Sequence, residues 1–314
     1  MIVKQKLVHW LKVATVVIGW ALTPVIGEYL IDLKHELSPF QLSFFRYIIA
    51  AITLYFILIF QAEVRNIEIW NSLKKNWSKY IIVAVFSAFM PVMLFLAVKD
   101  TSASAASFLL NANVVIIPVL AYFILKEKIR KMYILGITLS IIGLFLVIFD
   151  EYLFNLSEFP IGSLIGNLLA FGSGFFWALY TIFLKKFFSD ENPLLVTFLS
   201  LFLGSIILVF FAFLIPPTTM SISVLGVFLI IIIAILSTSL AYSFWLSLLQ
   251  YLSATETGII QTLVPITSVI IAIIFLGETI TWIFGIGAVF IIIGIFLIEM
   301  RKNKDTINKI INVE

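Results

Sequence analysis

Ten runs of apolar residues divide the chain, with short polar stretches between them. They cover 12–31, 40–60, 80–98, 102–125, 131–149, 162–184, 193–215, 222–248, 256–276 and 280–299. A helix needs roughly 20 apolar residues to cross the hydrocarbon of a bilayer. The pattern therefore predicts an all-α integral membrane protein with ten transmembrane helices, called spans 1 to 10 here. Two stretches read differently. Between 61 and 79, Ile69, Trp70, Leu73 and Trp77 recur at helical spacing beside Lys74, Lys75 and Lys79, as in a helix lying on a membrane surface. After Met300 the chain turns polar, and 302–314 reads as a solvated cytoplasmic tail.

The charges between the runs are sorted by side. Of the 20 lysines and arginines, only Lys34 and Lys99 fall in one set of alternate loops, and Arg46 lies inside a span. All the others lie in the opposite set of loops or at the two ends, while Asp150, Glu151 and Glu158 make one external loop purely acidic. Basic loops stay cytoplasmic, so both termini are expected in the cytoplasm of a multi-pass cell (inner or plasma) membrane protein. The pattern also recurs. A shift of 151 sets Ser102 on Ser253, Ala103 on Ala254, Glu127 on Glu278, Gly136 on Gly287 and Gly143 on Gly294. Lys126, Lys128, Arg130 and Lys131 surround the first turn of this unit, whereas the second, from Gly277 to Trp282, has no basic residue. Copies with opposed charge bias are expected to sit in opposite orientations, the signature of an inverted-repeat secondary transporter. The prediction is two inverted five-helix repeats, 1–151 and 152–301, followed by the tail.

Composition agrees: 62% hydrophobic and 12% charged residues leave too little polar surface for a soluble globule. The net charge of +3 gathers into no patch that could hold nucleic acid. With no cysteine there is neither a disulfide framework nor a thiolate metal site. No HExxH, Walker A or GxSxG pattern occurs, so no metal, cofactor or nucleotide is expected. Span 1 follows Lys4, Lys6 and Lys12 but ends without a small-x-small cleavage site, and reads as an uncleaved helix.

Polar and aromatic residues inside the spans supply the candidate chemistry. In span 6, Ser163, Asn167, Ala170, Gly174, Trp177 and Thr181 keep small or polar side chains on one helix face. Thr257, Gln261, Pro265, Ser268 and Ala272 do so in span 9, and span 8 offers Thr238, Tyr242 and Trp245. Small residues also suit plain helix packing. Amides need more: Asn111 and Gln261 demand a partner or a wet cavity in hydrocarbon. On a continuous helix Asn113 points about 200° away from Asn111, so only one of them is expected to face the path directly. Trp20, Trp177 and Trp245 lie deep, and Trp20 and Trp177 occupy equivalent places in the two repeats. They are expected to line opposite ends or sides of a substrate cavity, with Tyr180 and Tyr242. Glu28 and Arg46 are ionisable groups roughly 5 Å and 10 Å deep at 1.5 Å per residue. Charges there are costly and mark function by default. An ion pair locking two helices, a substrate-carboxylate contact at Arg46 and a proton site at Glu28 are the readings open.

A Trp in span 1, Ser38-Pro39 opening span 2 and then Phe45-Arg46-Tyr47 resemble the drug/metabolite transporter superfamily, and within it the EamA family. Leu125-Lys126-Glu127 and Leu276-Gly277-Glu278, each followed by the paired glycines, resemble its repeated signature. The resemblance covers nearly the whole chain. It implies ten helices around a central path near the bilayer midplane, and a secondary transporter exporting small organic metabolites, amino acids or related compounds foremost, by alternating access. The alternatives are an uptake carrier for a cationic amine or other small metabolite and, distantly, a polytopic membrane enzyme. The expected partners are a small-molecule substrate and membrane lipid. One departure stands out. Pro265 precedes Glu278 by 13 residues as in the family, but Val114 holds the matching place before Glu127 and Pro118 lies four residues on. Span 4 is therefore expected to bend one turn closer to the cytoplasm. Glu127 and Glu278 read as acceptors at helix starts. The seven-residue glycine spacings in spans 5 and 10 suit close helix contact, within the chain or in a homodimer.

Overall fold

The computed structural model describes residues 2–60, 66–126, 131–150, 153, 161–188, 191–215, 220–249 and 254–311. Among these it is helical, with no strand. In chain order the helices are α1 (Ile2–Glu28), α2 (Pro39–Phe60), α3 (Asn66–Ala97), α4 (Ala103–Leu110), α5 (Asn113–Ile124) and α6 (Lys131–Ile148). There follow α7 (Ile161–Phe188), α8 (Pro193–Leu214), α9 (Val224–Ile232), α10 (Ala241–Leu249), α11 (Ala254–Leu276) and α12 (Trp282–Ile311). Wider π-helical turns, Tyr29–Leu33 and Ile233–Leu240, extend α1 and join α9 to α10.

Side chains are distributed inside out relative to a water-soluble protein. Phe60, Val224 and Phe275 stand on the outside at 82%, 90% and 75% exposure, while Ser43, Ser173, Ser200, Ser239 and Ser268 are completely buried. Apolar surface outside and hydroxyls inside suit a chain solvated by lipid. Seven helical stretches among the described residues are long and apolar enough to cross a membrane. Three shorter apolar helices, Ile134–Ile148, Leu263–Leu276 and Trp282–Leu297, accompany them. The chain is thus a multi-pass α-helical membrane protein.

Helix neighbours follow a regular scheme. α2 packs on α8, α6 on α12, α4 on α11, α1 on α11, α4 and α5 on α7, α3 on both α7 and α8, and the second π segment on α1 and α2. The α6–α12 seam is closed by glycines. A Cβ on Gly143 would come 2.5 Å from the Gly287 carbonyl oxygen, and one on Gly294 would come 2.5 Å from that of Gly136. These backbones touch, so the spans 5 and 10 singled out by glycine spacing meet each other within the chain.

Three local features depart from a plain bundle of straight spans. Helix α3 begins in the segment expected on the membrane surface and kinks at Asn76 (φ −125°, ψ 24°), where it turns into span 3. Trp70 and Trp77 are exposed there, and Lys74 Nζ lies 5.1 Å from the Trp70 ring. Span 4 is interrupted, but not where Pro118 stands. The break falls at Asn111-Ala112, between α4 and α5, with tightened turns in which the Val114 N–H donates to Asn111 O (3.1 Å) and the Val115 N–H to Ala112 O (2.9 Å). The expected bend nearer the cytoplasm is therefore corrected: α5 carries Pro118 inside it, and the path breaks earlier. Finally, helix starts are sealed by acceptors. Ser102 Oγ accepts from Ala105 N, Asn192 Oδ1 from Leu194 N, and Ser223 Oγ from Gly226 N.

Candidate substrate cavity

Five aromatic residues singled out by their depth in the spans come together in the bundle. The Trp20 ring meets Trp177 edge to face at 5.9 Å, Tyr242 at 6.1 Å and Trp245 at 5.2 Å. Trp177 also meets Tyr242 at 5.3 Å and Tyr180 at 5.6 Å. Edge and tilted contacts at these separations are the favoured aromatic geometry. Trp20 and Trp177 are thus immediate neighbours rather than opposite walls. Trp20, Trp177 and Tyr242 bound a cavity of about 60 Å³, which Met90, Leu94 and Val264 close with apolar surface. A buried water needs roughly 10–15 Å³ in this measure, so the space suits a few waters and must widen to take a metabolite.

Both span 4 amides line this cavity. The expectation that only one faces it assumes a continuous helix, and the break between α4 and α5 removes that premise. Asn111 Nδ2 donates to Ser107 O at 2.8 Å and Asn113 Nδ2 to Leu110 O at 2.8 Å, so each amide answers a carbonyl near the break. Asn113 Oδ1 is buried without a partner. Gln261 lies on α11, where its side chain is outside the described residues.

Arg46 is the charged wall of the cavity. Its Nε donates to Thr238 Oγ1 at 2.6 Å and its Nη2 to Ser237 Oγ at 3.3 Å, while Nη1 has no partner. An ion pair between Glu28 and Arg46 does not form, because packing turns the two side chains to different places. Glu28 Oε2 instead accepts from Ala103 N at 2.6 Å, at the start of α4. Thr23 Oγ1 lies 2.6 Å from Ser237 Oγ, tying α1 into the Arg46 network. Sequence reasoning finds Thr238 but misses Thr23 and Ser237. The available signal is the run Ser237-Thr238-Ser239 inside an otherwise apolar span.

A second space, about 540 Å³, lies beside Glu28, Asp32, Lys99, Asp100 and Asp150. Asn167 belongs here and not with the aromatic cluster. Its Oδ1 accepts from Thr101 Oγ1 at 2.5 Å and its Nδ2 donates to Ile148 O at 2.8 Å, so it ties α7 to two neighbouring helix ends. Glu278 Oε1 accepts from the same Ala103 N–H as Glu28, at 2.7 Å, and the Ser104 N–H reaches Glu278 Oε2 at 3.3 Å. Glu278 thus accepts at a helix start, though at that of the distant α4. Two further carboxylates escape sequence reasoning. Glu36 Oε1 accepts from Ser223 Oγ at 2.7 Å at the start of α9, and Asp150 Oδ1 accepts from Phe284 N at 3.1 Å near the start of α12. Glu127 lies outside the described residues.

A helical membrane bundle that holds a small cavity of mixed aromatic, amide and guanidinium character has the form of a transport protein. Its sequence matches the EamA-like transporter family over 10–149 and again over 164–300, and the chain belongs to that family. It is a transporter and not an enzyme. The uncharacterized transporter YyaM of Bacillus subtilis 168 is 28% identical over 261 residues, covering 82% of this chain and 83% of that protein. A Salmonella typhimurium LT2 protein described as a probable amino-acid metabolite efflux pump is 27% identical over 216 residues, covering 65% of this chain and 70% of its own. A solved crystal structure shares the fold with a TM-score of 0.67 at 13% identity, covering 94% of this chain and 98% of that one.

Proposed function

We propose that the protein is a secondary transporter that exports small organic metabolites, amino acids or related compounds foremost, across the cell membrane by alternating access. The carrying observation is the aromatic and amide cavity, to which Trp20, Arg46 and Asn111 come from the first half of the chain and Trp177 and Tyr242 from the second. The two halves are 1–151 and 152–301, five-helix repeats threaded in opposite senses, with both termini and the tail 302–314 in the cytoplasm. The helix neighbours support this. Exchanging each span with its counterpart five places along converts the contacts of spans 1 and 9 into those of 6 and 4, and those of 3 and 6 into those of 8 and 1. It converts spans 3 and 7 into 8 and 2, and it leaves the pairs 2–7, 4–9 and 5–10 unchanged. A repeat with an odd number of spans must invert its copy.

A substrate bearing an acid group rather than a simple amine fits the cavity wall, because the Arg46 cation disfavours a ligand whose only charge is an ammonium. The Salmonella relative's described role points the same way. The test is counterflow in sealed liposomes containing purified protein, with labelled amino acids as the probe. Saturable exchange that protein-free liposomes lack is the expected result. Exchange confined to cationic amines would replace the reading with the uptake alternative, and no exchange of either class would remove it.

A further inference from the structure

Arg46 is held so that one charge is left unanswered. Its side chain is 3% exposed, and its fixed partners are two hydroxyls, Thr238 Oγ1 and Ser237 Oγ, with the Phe95 ring 6.0 Å from Cζ. Among the described residues no carboxylate reaches it, and Nη1 has no hydrogen-bond partner. A guanidinium cannot release its proton in a protein. An unpaired buried cation is strongly unfavourable, and it is stabilised when an anion with matching geometry completes it.

The holding contacts are built for orientation. Consecutive residues on an α-helix point about 100° apart, so Ser237 and Thr238 would not ordinarily serve one side chain. The π-helical segment Ile233–Leu240 widens the turn, and such insertions concentrate at functional positions. Thr238 Oγ1 is fixed in turn by donating to Ile233 O at 3.2 Å, and Ser237 Oγ by Thr23 Oγ1 at 2.6 Å. A guanidinium gripped along one edge leaves Nη1 buried and without a partner. The cavity wall holds a second unsatisfied atom of opposite sense, the acceptor Asn113 Oδ1.

We propose that Arg46 is the specificity-determining contact of the cavity, its free Nη1 binding the carboxylate of the transported compound while Asn113 Oδ1 accepts an N–H from the same molecule. This rests on the transport reading above. The ligand class is an organic acid carrying an N–H donor, its apolar remainder packed against Trp20, Trp177 and Tyr242. An amine without an acid group leaves Arg46 unanswered and is refused.

The test uses the wild-type protein first. Purified in detergent, it is screened by thermal shift against the L-amino acids, and each stabilising one is compared with its decarboxylated amine and its deaminated acid; for leucine these are isoamylamine and 4-methylpentanoate. The expected order is parent acid, then deaminated acid, with no shift from the amine. R46K should weaken binding of the parent at least about tenfold, because hydrogen bonds to charged groups are the strong ones. N113A should bring the parent and the deaminated acid to equal affinity. Amines that bind as tightly as acids, unchanged affinity in R46K, or no shift from any carboxylate would each overturn the proposal, and the analogue series on wild-type protein decides the matter even where a variant does not fold. Counterflow with the same compounds separates the two readings. Acids that bind but are not moved count against transport alone, whereas amines moved as well as acids count against the Arg46 contact alone.

Discussion

At the scale of single residues, Trp177 is the hinge of the aromatic cluster, touching Trp20, Tyr180 and Tyr242. Aromatic pairs of this kind contribute roughly 0.5–1.5 kcal/mol beyond their buried area. Trp177→Ala is expected to weaken apparent substrate affinity about two- to tenfold in counterflow, with Trp177→Phe between it and wild type. Glu278→Ala removes the acceptor for the Ser104 N–H group and one of the two for the Ala103 N–H, which Glu28 keeps. Loss of such a cap costs about 0.5–2 kcal/mol, so its melting temperature in detergent should fall, and Glu278→Gln, which keeps one acceptor oxygen, should fall less. The aromatic members of the cavity were legible in the sequence because deep indoles and phenols in an apolar run need a polar partner. The Asn167 contacts and the separation of Glu28 from Arg46 were not, since periodicity fixes a helix face but not which neighbour meets it. For the same reason the caps by Glu36 and Asp150 could not be read: each closes a helix start far along the chain.

At the scale of elements, the irregular parts do the positioning. The break at Asn111-Ala112 lets both amides reach one cavity, and the π segment brings adjacent hydroxyls to one guanidinium. Neither was legible. Helical periodicity assumes the regular 3.6-residue turn, and both features depart from it locally. The proline shift from 114 to 118 even misled, because the chain breaks near Leu110 without a proline at 114. The glycine seam was legible, because seven-residue spacing survives any rotation of the helix. Gly143→Leu should be severely disruptive, as its first side-chain carbon would already lie 2.5 Å from the Gly287 carbonyl oxygen. Overpacking of this kind costs about 1–3 kcal/mol or more, and reduced yield of monodisperse protein is the measurement. Gly162→Ala, where nothing lies within 4 Å, is the control and should be neutral.

At the scale of the molecule, the proposed inversion of the two halves makes a prediction about sides. The chain has no cysteine, so single cysteines can be introduced without a background. Lys128→Cys and Thr279→Cys, positions related by the 151-residue shift in the sequence, are expected to react with an impermeant maleimide from opposite faces of the membrane. Labelling from the same face would end the inverted reading. The membrane class and the helical stretches were legible from hydropathy alone, because lipid imposes one length on every crossing. The trans-capping carboxylates were invisible at this scale too, yet they tie the second half of the chain to the first.

The contact between Trp20 and Trp177 gives the protein an optical reporter of its own. Indoles at 5.9 Å couple strongly enough to mark the near-ultraviolet circular dichroism and to exchange excitation energy, and both signals depend on the mutual angle of the rings. Any molecule that wedges between them must alter that spectrum without an attached dye, so ligand occupancy can be followed in unlabelled protein.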